Sequence, residues 1–278
     1  MYKWFSRSLY ITLPACFVIR VLQYYTVIDE QTGYFVNDSA FSHAVNICLI
    51  ASALLYCALL AAAGKDPKPR NKSGRLWLSY ESAYDKALLC VPAALGALTA
   101  FIAPGKSGFF GLVMACCLLG TTAALGLLMA GRPGEKDELL QLLLLAPVAY
   151  YILRLIFTFD AYTRVANISS YMLELFTACF LALFAMNFAK FLYRDGSRKT
   201  LLFTGAMAIS GICASTLPAL VVLILGFAYQ MDADIIRPFT QLFDLAMGIF
   251  IVLTIRKLRG TPPAAPEADV SGEPVAGE

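Results

Sequence analysis

Charge is scarce in this sequence. Asp, Glu, Lys and Arg make up 15% of its 278 residues, where a soluble domain carries roughly 25%. Too little polar surface remains to cover a water-soluble globule of this length. Histidine is scarcer still, with His43 the sole example. That excludes a haem bundle built on paired histidine ligands and a helical zinc-protease motif. The cysteines Cys16, Cys48, Cys57, Cys90, Cys116, Cys117, Cys179 and Cys213 contain no Cys-x-x-Cys pair and sit within apolar runs. They read as small packing residues and define no redox compartment. There is no G-x-S-x-G, no P-loop and no lysine deep in an apolar run. A serine hydrolase, ATP binding by that loop and a retinal Schiff base are therefore set aside. No basic face remains once the loop charges are assigned, so nucleic acid is not an expected partner. No cofactor or metal is implied.

Apolar length is what the chain has in abundance. Its residues are 59% hydrophobic, with a mean hydropathy of +0.68. The apolar residues come in unbroken blocks, and blocks of ~18 or more read as membrane-spanning helices. Eight such blocks occur, at about Tyr10–Ile28, Phe41–Ala63, Ala87–Ala103, Phe109–Ala130, Leu139–Phe159, Ile168–Leu192, Leu201–Phe227 and Phe239–Ile255. The fold class is all-α, a polytopic helical membrane protein of about eight spans, and the lipid bilayer is its first partner. The stretch from Met1 to Cys16 has an apolar run too short for a signal peptide, so it reads as the start of an uncleaved first helix. The seventh block is long and contains Pro218, which predicts a tilt or a break there.

Basic residues test this count. Seventeen fall on one alternating set of ends: Lys3 and Arg7; Lys65, Lys68, Arg70, Lys72, Arg75 and Lys86; Arg132 and Lys136; Lys190, Arg194, Arg198 and Lys199; Arg256, Lys257 and Arg259. The opposite loops hold Lys106, Arg164 and Arg237. By the positive-inside rule, both termini are cytosolic and the membrane is the cytoplasmic (plasma) membrane. Residues 1–259 form the transmembrane bundle. The tail 260–278, proline-rich and acidic without aromatics, reads as disordered and cytosolic. The basic loop 64–86 reads as partly interfacial, held by anionic lipid. It is also the candidate site for a protein partner.

The halves of the chain resemble each other. Pro14 precedes Arg20 in the first span as Pro147 precedes Arg154 in the fifth. The third and seventh spans are both rich in small residues. A four-plus-four repeat of this kind would place the halves parallel.

Four ionisable residues lie within the spans: Arg20, Arg154, Glu174 and Asp244. With the topology above, all fall roughly 8–12 Å below the outer boundary. Polar neighbours share their helix faces at three- and four-residue spacing. Gln23 and Tyr24 accompany Arg20, Tyr150 accompanies Arg154, Tyr171 accompanies Glu174, and Gln241 accompanies Asp244. His43 and Asn46 on the second span reach a similar depth. A charge within lipid is costly unless it pairs, meets water or faces the bundle interior. Three expectations follow. The residues line a site in the outer half for a small polar or zwitterionic solute, with arginine for a carboxylate and a carboxylate for an amine. Alternatively the charges are interhelical salt bridges in a sensor or assembly subunit. Alternatively Glu174 or Asp244 serves an intramembrane enzyme, a reading that requires the arginines to lie elsewhere. The lack of a recognisable catalytic constellation weighs against an enzyme.

Overall fold

A computed structural model describes residues 2–26, 40–64, 78, 80, 82–102, 104–130, 138–163, 168–193, 196–224 and 236–258. Every regular element among the described residues is α-helical. The helices are α1 (Tyr2–Thr26), α2 (Ala40–Ala62), α3 (Ala83–Ile102), α4 (Pro104–Ala130), α5 (Glu138–Leu143), α6 (Ala146–Thr163), α7 (Ile168–Tyr193), α8 (Arg198–Ala214), α9 (Thr216–Ile224) and α10 (Ile236–Leu258). They provide 8 segments long and apolar enough to cross a membrane. The chain is thus a multi-pass helical protein of the membrane type, as its apolar blocks require.

Two spans are broken, each beside a proline, whereas Pro14 and Pro92 lie inside the unbroken α1 and α3. The fifth is α5 followed by α6. Pro147 offers no N–H to the carbonyl of Leu143, so that helical hydrogen bond is missing at the break. The chain tightens instead: Leu145 N donates to Leu142 O at 3.1 Å, and Ala149 N resumes the helical pattern on Leu145 O at 2.9 Å. The seventh is α8 followed by α9, with Ser215 between them. Pro218 denies the Ala214 carbonyl its donor in the same way, and Ser215 caps α8 by donating its N–H to Gly211 O at 2.8 Å. Between the third and fourth spans the turn is made at Gly108, whose φ of 56° and ψ of −135° suit a residue without Cβ.

The seventh span is the axis of the bundle: 83% of its most apolar window is buried, against 33% for the third. The two small-residue spans expected to correspond thus occupy different environments. Helix α8 packs on α1 and α2 on one side and on α7 and α10 on the other, while α3 packs on α4 and α10. Small residues permit this approach. A Cβ at Gly205 would lie 3.0 Å from Ile251 Cγ2 and 3.2 Å from Phe184 Cδ2; one at Gly211 would lie 2.7 Å from Thr177 Oγ1. Large apolar side chains such as Ile11, Leu54, Phe101, Phe109 and Ile156 remain exposed around the rim. In water such a surface would associate; in a bilayer it is the lipid contact.

One end of the bundle collects basic side chains. Arg198, at the start of α8, donates through Nη2 to Leu258 O at the end of α10, and its guanidinium lies 4.0 Å from the Tyr2 ring centroid. Lys257 pairs with Asp85 at 2.6 Å. The first turns of α1, α3 and α8 and the last turn of α10 therefore share one end, as the alternation of charge demands. Tyr80 also belongs to this end. It lies in the loop that the sequence reads as partly interfacial, and it is 3% exposed and precedes α3, with its OH 3.1 Å from Thr254 Oγ1. Its ring packs on Phe250. Burial pushes its phenol above the ordinary value, so it stays neutral. The tail 260–278 and most of loop 64–86 lie outside the described residues.

Candidate functional site

Helices α6 and α10 meet through residues that lipid would reject. On α6, Tyr150, Tyr151 and Arg154 are buried; on α10, Gln241 and Asp244 are buried. Arg154 Nη1 donates to Asp244 Oδ1 at 2.6 Å and to Oδ2 at 2.5 Å. Tyr151 OH donates to the same Oδ1 at 3.3 Å. Each charge is thus neutralised by its partner, which is the condition for placing both in an apolar medium. Phe243 walls this pair, stacked against Tyr151 with centroids 6.4 Å apart and edge-on to Tyr150 at 5.5 Å. Gly96 on α3 lets that ring approach, since a Cβ there would lie 3.1 Å from it.

Glu174 extends the cluster from α7. It is half-buried, and its charge acts on both Arg154 and Asp244. Gln241 Nε2 donates to Glu174 Oε1 at 3.5 Å. This orients the amide so that Gln241 Oε1 turns away from the carboxylate. Two buried polar atoms flank the ion pair without a hydrogen-bond partner among the described residues: Gln241 Oε1 and Tyr150 OH. Tyr150 nonetheless lies close enough to feel the charge of Arg154. Asp244 stands thirteen residues from Lys257, so the cluster lies about 20 Å from the basic end. It occupies the half of the bundle away from that end.

Arg20 is not part of this ion pair. It is 2% exposed on α1, donates through Nη1 to Gln23 Oε1, and lies with its guanidinium 4.9 Å from the Tyr24 ring centroid. The group Arg20, Gln23 and Tyr24 is therefore brought together, on α1. His43 and Asn46 do not join either group: both are exposed on α2. Val45 and Leu49, one turn apart, hold the inward face of that helix at 1% and 5% exposure. The helical period then turns His43 and Asn46 outward. The Tyr171 side chain lies outside the described residues.

Two hydroxyl chains were not anticipated as networks. Tyr56 OH stands 2.5 Å from Thr12 Oγ1 and 3.3 Å from Ser210 Oγ, joining α2 to α1 and α8. Thr177 Oγ1 stands 3.0 Å from Ser215 Oγ at the break between α8 and α9. The available signal was a tyrosine or threonine inside an apolar block; its partners are far away in sequence. Cys16 and Cys48 also meet, with sulfurs 3.3 Å apart. Among the described residues, no three His, Cys, Asp or Glu side chains cluster as a metal site would require.

Comparison with known proteins finds no matching family model, no matching curated protein and no matching solved structure. The chemistry of the cluster is therefore the guide to function.

Proposed function

We propose that the protein binds a small polar solute at the Arg154–Asp244–Glu174–Gln241 cluster, in the outer half of the bundle, as a step in its transport. The observation that carries this reading is the incomplete use of Arg154. Both contacts to Asp244 leave from Nη1. The Nε and Nη2 donors lie outside the ion pair, in a guanidinium geometry suited to an anionic group. A pair serving only to join two helices would gain from the parallel, two-nitrogen arrangement. Basic residues on the alternate ends support the cytoplasmic membrane with both termini cytosolic. The basic loop 64–86 then faces the cytosol and anionic lipid.

A second reading has its own support. Arg154 and Asp244 are nearly inaccessible, at 10% and 1% side-chain exposure, which suits an assembly or sensor subunit held by a fixed interhelical bridge. The enzymatic reading has less. A carboxylate acting as acid or base needs freedom from a cationic partner, and Asp244 has Arg154 at 2.5 Å.

A thermal-shift screen of the purified protein against amino acids, nucleosides, vitamins and lipids separates these readings. Specific stabilisation that vanishes in Arg154→Ala and Glu174→Ala supports the solute site. Equal destabilisation of both variants, with no ligand response in the parent protein, supports the fixed bridge.

A further inference from the structure

The unused hydrogen-bonding groups around the Arg154–Asp244 pair have a definite order. On α6, Tyr150 precedes Arg154 by one turn; on α10, Gln241 precedes Asp244 by one turn. The two helices run in opposite directions, since Arg154 and Asp244 meet while α10 ends at the basic end and α6 leaves it. Tyr150 OH therefore lies on the basic-end side of the ion pair, and Gln241 Oε1 lies on the other side.

These atoms differ in kind. The remaining N–H groups of Arg154 are donors, and Tyr150 OH can donate to an anion. Gln241 Oε1 is an acceptor only, and its amide nitrogen is committed to Glu174. Each buried atom without a partner carries a desolvation cost. A solute would relieve both costs if it brought an acceptor to the Arg154–Tyr150 side and an N–H donor to the Gln241 side. Three residues of helix, about 4.5 Å, separate the levels of Asp244 and Gln241. That offset matches a solute whose two groups are a few bonds apart.

Resting on the solute-site reading above, we propose that the solute is a small zwitterion of the amino-acid class, bound in one orientation. Its carboxylate meets the free edge of Arg154 and the Tyr150 hydroxyl. Its ammonium donates to Gln241 Oε1, with the Glu174 carboxylate beside it. Asp244 is a positioning residue that aims the guanidinium and does not touch the solute.

The test uses the full-length protein in lipid nanodiscs and four probes: alanine and γ-aminobutyrate, which carry both groups, and propionate and propylamine, which carry one each. At least one of the two zwitterions binds, and each single-charge probe binds at least tenfold more weakly. Tyr150→Phe and Gln241→Met each weaken zwitterion binding at least tenfold. Tyr150→Phe does not lower the resting thermal midpoint, because it removes a buried hydroxyl without a hydrogen-bond partner among the described residues; Gln241→Met lowers it only slightly, through the long Nε2 contact to Glu174. Propionate or propylamine binding as tightly as the zwitterions overturns the proposed class while leaving the site. So does a neutral solute, such as a nucleoside, whose binding is lost in Arg154→Ala. Zwitterion binding unchanged in both variants also overturns the proposal, since the solute would then sit elsewhere. No probe or screened solute binding the parent protein overturns the class and the solute-site reading together.

Discussion

Arg154 grips Asp244 with a single nitrogen: Nη1 lies 2.6 Å from one carboxylate oxygen and 2.5 Å from the other. The contact joins α6 to α10 across ninety residues of chain. Breaking it leaves a buried charge. Arg154→Ala is expected to destabilise the protein by about 3–5 kcal/mol. The double replacement Arg154→Met with Asp244→Leu is expected to recover most of that loss, because neither charge remains. Thermal and denaturant unfolding in detergent measure both. Additive losses in the double replacement would show that the pair does not act as a unit.

Glycine at the axis should be sensitive where glycine at the rim is not. Gly211→Ala would bring a methyl to 2.7 Å from Thr177 Oγ1 and 3.1 Å from Thr177 Cα. Backbone cannot swing aside, so α7 must move, at a cost of about 1–3 kcal/mol. Gly126→Ala meets nothing within 4 Å and should be neutral, or stabilising by up to about 1 kcal/mol through helix propensity. Unfolding midpoints of the two variants should move in opposite directions, or only the first should move.

Tyr56 ties three helices through one hydroxyl. Tyr56→Phe keeps the ring against Phe5, centroids 5.6 Å apart, and removes the contacts to Thr12 and Ser210. Hydrogen bonds between membrane helices average about 0.6 kcal/mol, with a maximum near 1.7. A loss in that range is expected. Thr12→Val should give a smaller loss than Tyr56→Phe, since it leaves the link to Ser210.

The sulfurs of Cys16 and Cys48, 3.3 Å apart, report how α1 sits on α2. A lipid-soluble oxidant such as iodine should join them within one chain, with loss of two thiol hydrogens. Mass spectrometry of the digested protein reads the link. It should be absent in Cys16→Ser, and Cys57, exposed on the same α2, should not substitute.

Reporter tags at each terminus test the topology. Both are expected on the cytosolic side, where the Arg198, Lys257 and Lys86 end of the bundle faces anionic lipid. A reporter active outside the cell at either end would invert the half in which Asp244 lies.

Glu174 and Asp244 were legible as exceptions: a carboxylate within an apolar block announces itself. Their companions were legible where helical spacing was enough, as with Tyr150 beside Arg154 and Gln241 beside Asp244. His43 and Asn46 show the limit of that method. Their depth along α2 was readable, but their direction was not, because in a block apolar all round no hydrophobic face marks the interior. Arg20 shows another limit. It meets Gln23 and Tyr24 on its own helix while Arg154 takes Asp244, and nothing local to either arginine encodes which of them finds the carboxylate.

The chain alone determined the number of spans, the sorting of basic residues to one end, and the break near Pro218. Each follows from a local rule: burial of apolar length in lipid, the membrane's charge asymmetry, or a missing backbone donor. Only the tertiary structure decided that Asp244 takes Arg154 and that the seventh span forms the axis. It also decided which groups around the ion pair are left unused. Lipid and protein interior are nearly equally apolar, so hydropathy cannot distinguish a face that meets a neighbour from one that meets the bilayer. Close packing and the pairing of a few costly polar atoms make that choice.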